Sequence, residues 1–187
     1  MKLFRPSRVK PDLTTRAVVG RSGYEIAALR EYFGHSLSTA LYFYDDRAIL
    51  AAAMTGTPGN GHAELRPPIV LTEPVADESL GFSALEALLH FDSSPATVPA
   101  GWKGTDWPTF KASGAKSIKA FERSCCFVWL RTVNAGGIEI EGSCLKLQDS
   151  TIRVRAWVPI SVEHSELGQV LRTVVRGAHL LRDEGVY

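Results

Sequence analysis

The chain has 187 residues, 21 lysines and arginines against 20 aspartates and glutamates, and 45% hydrophobic residues. That length suits one domain or two small ones with a sizeable core, and the near-balanced charge argues against unspecific nucleic-acid binding. The apolar runs 49–54 and 125–130 are far too short to span a membrane.

Residues 1–13 read as an irregular basic arm, because Lys2, Arg5, Arg8 and Lys10 are interrupted by Pro6 and Pro11. No signal peptide is expected there, and the location expected is cytoplasmic. Residues 14–94 read as a first α+β half. From Gly20 to Phe33, Ile26, Leu29, Tyr32 and Phe33 follow helical spacing, with Gly34 as the stop. Leu37 to Tyr44 reads as a strand, Asp45-Asp46 as a turn and Arg47 to Met54 as a returning strand. Gly56, Pro58, Gly59, Asn60 and Gly61 make a loop without the Gly-Lys-Ser/Thr of a phosphate-binding loop. Pro68 to Glu73 gives a third strand. Asp77 is then expected to cap a helix from Glu78 to about His90.

Asp92 to Pro108 is rich in proline and glycine, and residues 95–108 read as a linker carrying Trp102 and Trp107. These indoles either fold back over the core or anchor a partner, since tryptophan is enriched at binding hot spots. Residues 109–187 read as a second half. Ser113 is expected to cap a short helix to about Arg123, followed by a strand from Cys125 to Val133 and a turn at Asn134-Ala135-Gly136-Gly137. Ile138 to Leu147 alternates, with Ile138 and Ile140 on one face and Glu139 and Glu141 on the other. Thr151 to Val158 alternates too, placing Arg153, Arg155 and Trp157 together, where the arginines can pair across strands with the glutamates. A last helix from Val162 to Arg182 buries Leu167, Leu171, Val174, Val175 and Ala178.

Landmarks recur. Ser22-Gly23 returns as Ser113-Gly114, Glu73-Pro74-Val75 as Val158-Pro159-Ile160 and Leu80-Gly81 as Leu167-Gly168, at separations that drift by only a few residues. The fold expected is α+β: two similar helix–three-strand–helix halves sharing an antiparallel sheet, with helices packed on one side.

Few motifs carry chemistry. Cys125, Cys126 and Cys144 form no CxxC pair, and the five histidines have no metal-ligand spacing, so no cofactor or metal is expected. His164 with Glu166, or Glu139 with Glu141, are the acid–base pairs a small hydrolase would use. Charge is unevenly spread: residues 62–95 carry Glu64, Glu73, Asp77, Glu78, Glu86 and Asp92 against Arg66 alone. Such polarity can steer a charged partner.

The run Ser113-Gly114-Ala115-Lys116-Ser117-Ile118-Lys119-Ala120-Phe121-Glu122, followed by a strand, a Gly-Gly turn, an Ile-rich strand and the Glu166-Leu167-Gly168 helix, resembles immunity proteins of bacterial contact-dependent growth inhibition and related polymorphic toxin systems. The resemblance covers roughly residues 107–180. It implies a small cytosolic protein, not an enzyme, that binds a cognate toxin, often a nuclease, and covers its active site. Neither nucleic acid nor membrane is an expected partner. Many inhibitors of basic nucleases are strongly acidic; here only the Glu64–Asp92 segment is. The expected toxin-binding residues are therefore Glu73, Asp77 and Glu78, whose carboxylates would pair with basic groups, and Trp102 and Trp107, whose indoles would fill a pocket. The rival expectations are the small hydrolase and a chaperone-like module that binds a secreted effector on its sheet.

Overall fold

Helix α1 (Ser22–Phe33) buries Ile26 and Leu29 three residues apart and stops at Gly34, whose φ of 73° suits a residue without a side chain. The computed structural model describes residues 22–34, 36–52, 54–56, 62–96, 100–134, 136–144 and 153–185. The expected basic arm, residues 1–13, lies outside them.

After α1 come β1 (Ser38–Phe43), β2 (Arg47–Ala52), β3 (Met54–Gly56), β4 (His62–Ala63), β5 (Ile69–Thr72) and α2 (Asp77–Leu89). The chain continues through β6 (Asp92–Ala96), a single 3-10 turn (Gly104–Asp106), α3 (Pro108–Ser113) and α4 (Ile118–Ser124). It ends with β7 (Cys126–Asn134), β8 (Gly137–Cys144), β9 (Val154–Pro159) and α5 (His164–Asp183). Six strands form one sheet in the order β5-β2-β1-β7-β8-β9, every pair antiparallel. A small second sheet has the order β4-β3-β6.

The strand alternation read from the sequence sets the two faces. Val128, Leu130, Ile138 and Ile140 point to the side occupied by α1, α2 and α5, where the main core lies. This is the expected antiparallel sheet with helices on one side. Helix α5 seals that core with Leu167, Leu171, Val174 and Ala178, while Val175 is half-buried. Helices α2 and α5 cross backbone to backbone. A Cβ on Gly81 would overlap the carbonyl of His164, and one on Gly168 would overlap the carbonyl of Asp77. Only glycine permits so close a crossing.

The other side is covered in part. Helices α3 and α4 lie over β1 and β2, where Ala40, Tyr42, Ile49, Ala51, Phe110, Phe121 and Cys125 make a second core. The halves thus agree in some elements and differ in others. Leu41 of β1 stands opposite Val128 of β7 at the centre of the sheet, and three strands flank each side of that line. Helices α2 and α5 lie on the same face. The opening helices do not: α1 joins the main core and α4 the second one.

Several local expectations change. Asp77 is the first residue of α2, not its cap; Ala76 holds the cap position and makes no side-chain cap bond. Ser113 ends α3 instead of opening a helix, with Gly114 in the left-handed region at φ 68°. Ser117 caps the next helix, its hydroxyl accepting from the Ala120 N–H at 3.1 Å. Asp92–Ala96, read as the start of the proline-rich boundary, is strand β6, parallel to β3. Pro95 is compatible with that strand because β6 lies at the edge of its sheet, where proline is tolerated.

Candidate functional site

The fold divides the expected acidic and aromatic residues between two faces of the sheet. Glu73, just beyond β5, and Asp77 both turn to Arg172 of α5. Arg172 Nη1 and Nη2 donate to Glu73 Oε1 and Oε2 at 3.1 and 3.2 Å, and Nε donates to Asp77 Oδ1 at 2.8 Å. Nη2 also donates to the Val75 carbonyl at 2.6 Å. The Glu73 bonds are the main cause raising the Arg172 pKa above its ordinary value; burial opposes them and the Asp77 bond adds to them. This fork–carboxylate pairing ties residues 73–77 to α5. Glu78, one residue further on, is exposed.

Trp107 folds back on the second core, edge-on to Phe121 with ring centres 4.9 Å apart and to Tyr42 at 5.8 Å. Its Nε1 donates to Glu64 Oε2 at 2.8 Å. Thr109 Oγ1 donates to the same oxygen at 2.6 Å, and Tyr42 O–H to Oε1 at 2.7 Å. Among the described residues, three neutral donors surround this carboxylate. Burial raises the Glu64 pKa, while the bonds from Thr109, Tyr42 and Trp107 pull it down. Burial, then the adjacent Glu64 charge, pushes the Tyr42 hydroxyl well above its ordinary value. The cluster fastens the segment before α3 to the sheet. Trp102 is half-buried in the same segment.

The hydrolase candidates do not gather around a common cleft. His164, at the start of α5, is buried with its ring edge-on to Phe82 at 5.3 Å, whereas Glu166 is exposed. Glu139 and Glu141 lie on the opposite face of the sheet and are engaged by arginines. A cleft of about 630 Å³ opens elsewhere, between the β1–β2 turn and α5, lined by Phe43, Asp45, Glu73, Pro74, Arg176 and His179 among others. There burial, then Arg182, lowers the His179 pKa, with Asp183 and Asp45 opposing. Among the described residues no group of three or more His, Cys, Asp or Glu could hold a metal ion. No helix among them is long and apolar enough to cross a membrane.

What remains is the face of β7, β8 and β9 turned away from α2 and α5. Trp129, Glu141 and Arg155 stand in one cross-strand row, and Arg131, Glu139 and Trp157 in the next. Glu139 and Glu141 are only 4% and 8% exposed, on the face away from α1, α2 and α5. Arg131 Nε donates to Glu139 Oε2; Arg153 Nη1 and Arg155 Nε donate to Glu141, the last at 2.8 Å. The arginines lie across the carboxylates and shield them from water. Burial opposes ionisation of Glu141, but Arg153 and then Arg155 outweigh it and lower its pKa. Trp157 is 58% exposed at the rim. The alternation of residues 151–158 already places Arg153, Arg155 and Trp157 on one face. That Trp129 and Arg131 join them follows from the β7–β8 register, which local pattern does not reveal. Nothing in the sequence marks the contacts of Glu64 or Arg172, whose partners lie far away along the chain.

The fold therefore defines an α+β protein with one helix-covered and one partly open sheet face. No protein-family model and no curated protein matches the sequence. Among solved structures the fold is similar to a protein of unknown function from Neisseria meningitidis, with a TM-score of 0.58 and 17% identity, covering 76% of this chain and 95% of that one. It is also similar to a chain of the CdiA-CT/CdiI toxin and immunity complex from Yersinia pseudotuberculosis, with a TM-score of 0.53 and 14% identity, covering 75% and 96%.

Proposed function

We propose that the chain is the immunity partner of a protein toxin, which it binds and neutralises in the cytoplasm by covering the toxin's active site. The observation that carries the reading is the exposed face of β7–β9, which sets tryptophan and arginine side chains on regular strands fixed by ion pairs. Rigid strands hold such groups in place before binding, so less ordering entropy is lost on association. The likeness of fold to a chain of a toxin and immunity complex supports the reading, as does the resemblance of residues 107–180 to immunity proteins. That resemblance favours a nuclease as the toxin.

On this reading the chain is not an enzyme. The burial of His164 against Phe82 and the pairing of Glu139 and Glu141 with arginines support that view, since an acid–base group must reach a substrate. We also read the matching strand order about the β1–β7 line and the reciprocal glycine contacts of α2 and α5 as an internal duplication, with α1 and α4 as the parts that differ.

The test is co-expression of the chain with the product of the adjacent upstream gene. Co-purification of the two, with rescue of growth from that product's toxicity, is the expected result. If they neither associate nor protect the cell, the reading is abandoned. Association with a secreted effector that is not toxic would favour a chaperone-like module instead.

A further inference from the structure

We propose that the toxin docks on the outer face of β7, β8 and β9, and that it presents carboxylates and an apolar recess to that face. This rests on the immunity reading and specifies the chemistry of the partner. Strands are enriched in β-branched and aromatic residues and depleted in glutamate. This face instead buries Glu139 and Glu141 and lays three arginines over them. Dehydrating carboxylates is costly, and half-exposed ion pairs return little stability. What the arrangement provides is orientation. Each buried carboxylate holds a guanidinium that would otherwise sample many rotamers.

The contact geometry sets what the arginines can do next. Arg131 and Arg155 bond inward through Nε, which leaves the terminal nitrogens at the outer tip of each fork. The side chains of Arg131, Arg153 and Arg155 are 44%, 49% and 56% exposed, against 5% and 10% for Glu139 and Glu141. Solvent therefore meets guanidinium, not carboxylate, and three cations stand over two anions. Planar forks of this kind match carboxylates in pairs of parallel hydrogen bonds. Trp157 supplies an apolar anchor in the row that holds Arg131; Trp129, in the neighbouring row, is half-buried against the second core. Tryptophan and arginine are the residue types that dominate hot spots in protein interfaces. Three acidic residues of the 62–95 segment compete less well: Glu73 and Asp77 are engaged by Arg172, and Glu64 by three donors inside the protein, which leaves Glu78 as its exposed carboxylate among the described residues. An acidic partner surface is the complement of the face that remains.

The test uses the full chain and the product of the upstream gene, with binding measured by titration calorimetry at two salt concentrations and protection by growth rescue. Trp157→Ser should weaken binding by about 30-fold or more, and Arg155→Gln by about 10-fold with a flatter salt dependence. Arg176→Glu, on α5, should leave binding unchanged. Thermal melts of the free variants establish that they fold, and Trp157 is exposed enough for its replacement to be tolerated. If the wild type binds and protects but Trp157→Ser and Arg155→Gln do so equally well, the docking face is elsewhere and the immunity reading stands. Tighter binding by Arg155→Gln would mean a basic partner and overturn the proposal. So would a Trp157→Ser variant that loses only self-association, or only binding to a single-stranded uridine 20-mer, while keeping the toxin. If the wild type does not bind at all, both readings fall.

Discussion

Glu64 and Glu141 are two carboxylates with opposite responses to pH. Burial raises the Glu64 pKa, and the carboxylate accepts from the neutral donors Tyr42, Trp107 and Thr109. Its contribution to stability is full below the unfolded value of about 4.3 and is lost as pH rises through the higher folded value. Glutamine keeps an acceptor for Trp107 and Thr109, and the Tyr42 hydroxyl can rotate to accept. Glu64→Gln should therefore lie within about 1 kcal/mol of wild type and compare better at pH 7 than at pH 4. Glu64→Leu strands three donors and should cost about 3 kcal/mol or more. Urea unfolding of both variants across that pH range checks this. Glu141 has the reverse sign. Arg153 and Arg155 lower its pKa against the opposing effect of burial, so its contribution is present above the unfolded value and fades as acid titrates the folded carboxylate. Glu141→Gln should be less stable than wild type at pH 7, with the gap closing toward pH 3 in thermal melts. The alternation of residues 138–147 and 151–158 made the pairing of Glu141 with Arg153 and Arg155 legible. The Arg131 partner of Glu139 and the donors around Glu64 were not, because they depend on strand register and on segments far apart in the chain.

At the scale of elements, periodicity located the six strands of the main sheet and the long helices but not the small β4-β3-β6 sheet, and the register of close contacts decided how they fit. The helix run at Leu80-Gly81 and its echo at Leu167-Gly168 are visible in the sequence; that the two glycines face each other's helix backbone is not. Gly81→Ala and Gly168→Ala should each cost about 3 kcal/mol, because the obstacle is a backbone carbonyl that cannot rotate away. Chemical denaturation measures it, and a loss below about 1 kcal/mol would mean that the helices can separate freely. Helix ends were read less well. Ser113 and Ser117 are both suitable caps by residue type. The structure uses Ser117, because Gly114 stops α3 and starts a new direction. Ser117→Ala should lower stability by about 1 kcal/mol, and Ser113→Ala should act instead through its lost bonds to the Phe110 carbonyl and the Ala115 N–H.

For the molecule as a whole, the sheet makes the two ends of the chain dependent on each other. Strand β1 pairs with β7 along its length, and α2 packs on α5. A fragment of residues 109–187 would expose the inner side of β7 and the α2-facing side of α5. It should lack cooperative unfolding by circular dichroism, whereas the full chain should melt in one transition. An independently folded fragment would show that the line between β1 and β7 is a domain boundary.

Local composition and periodicity by themselves determined an α+β chain with alternating strands, an amphipathic last helix and an outer face bearing Arg153, Arg155 and Trp157, because side-chain direction repeats every two residues in a strand and every 3.6 in a helix. Only the tertiary structure decided that Arg131 and Trp129 complete that face, that Glu73 and Asp77 pair with Arg172, and that Trp107 is held by Glu64. Those pairings depend on strand register and helix crossing, which are set by the packing of segments distant in the chain and leave no trace in the spacing of neighbours.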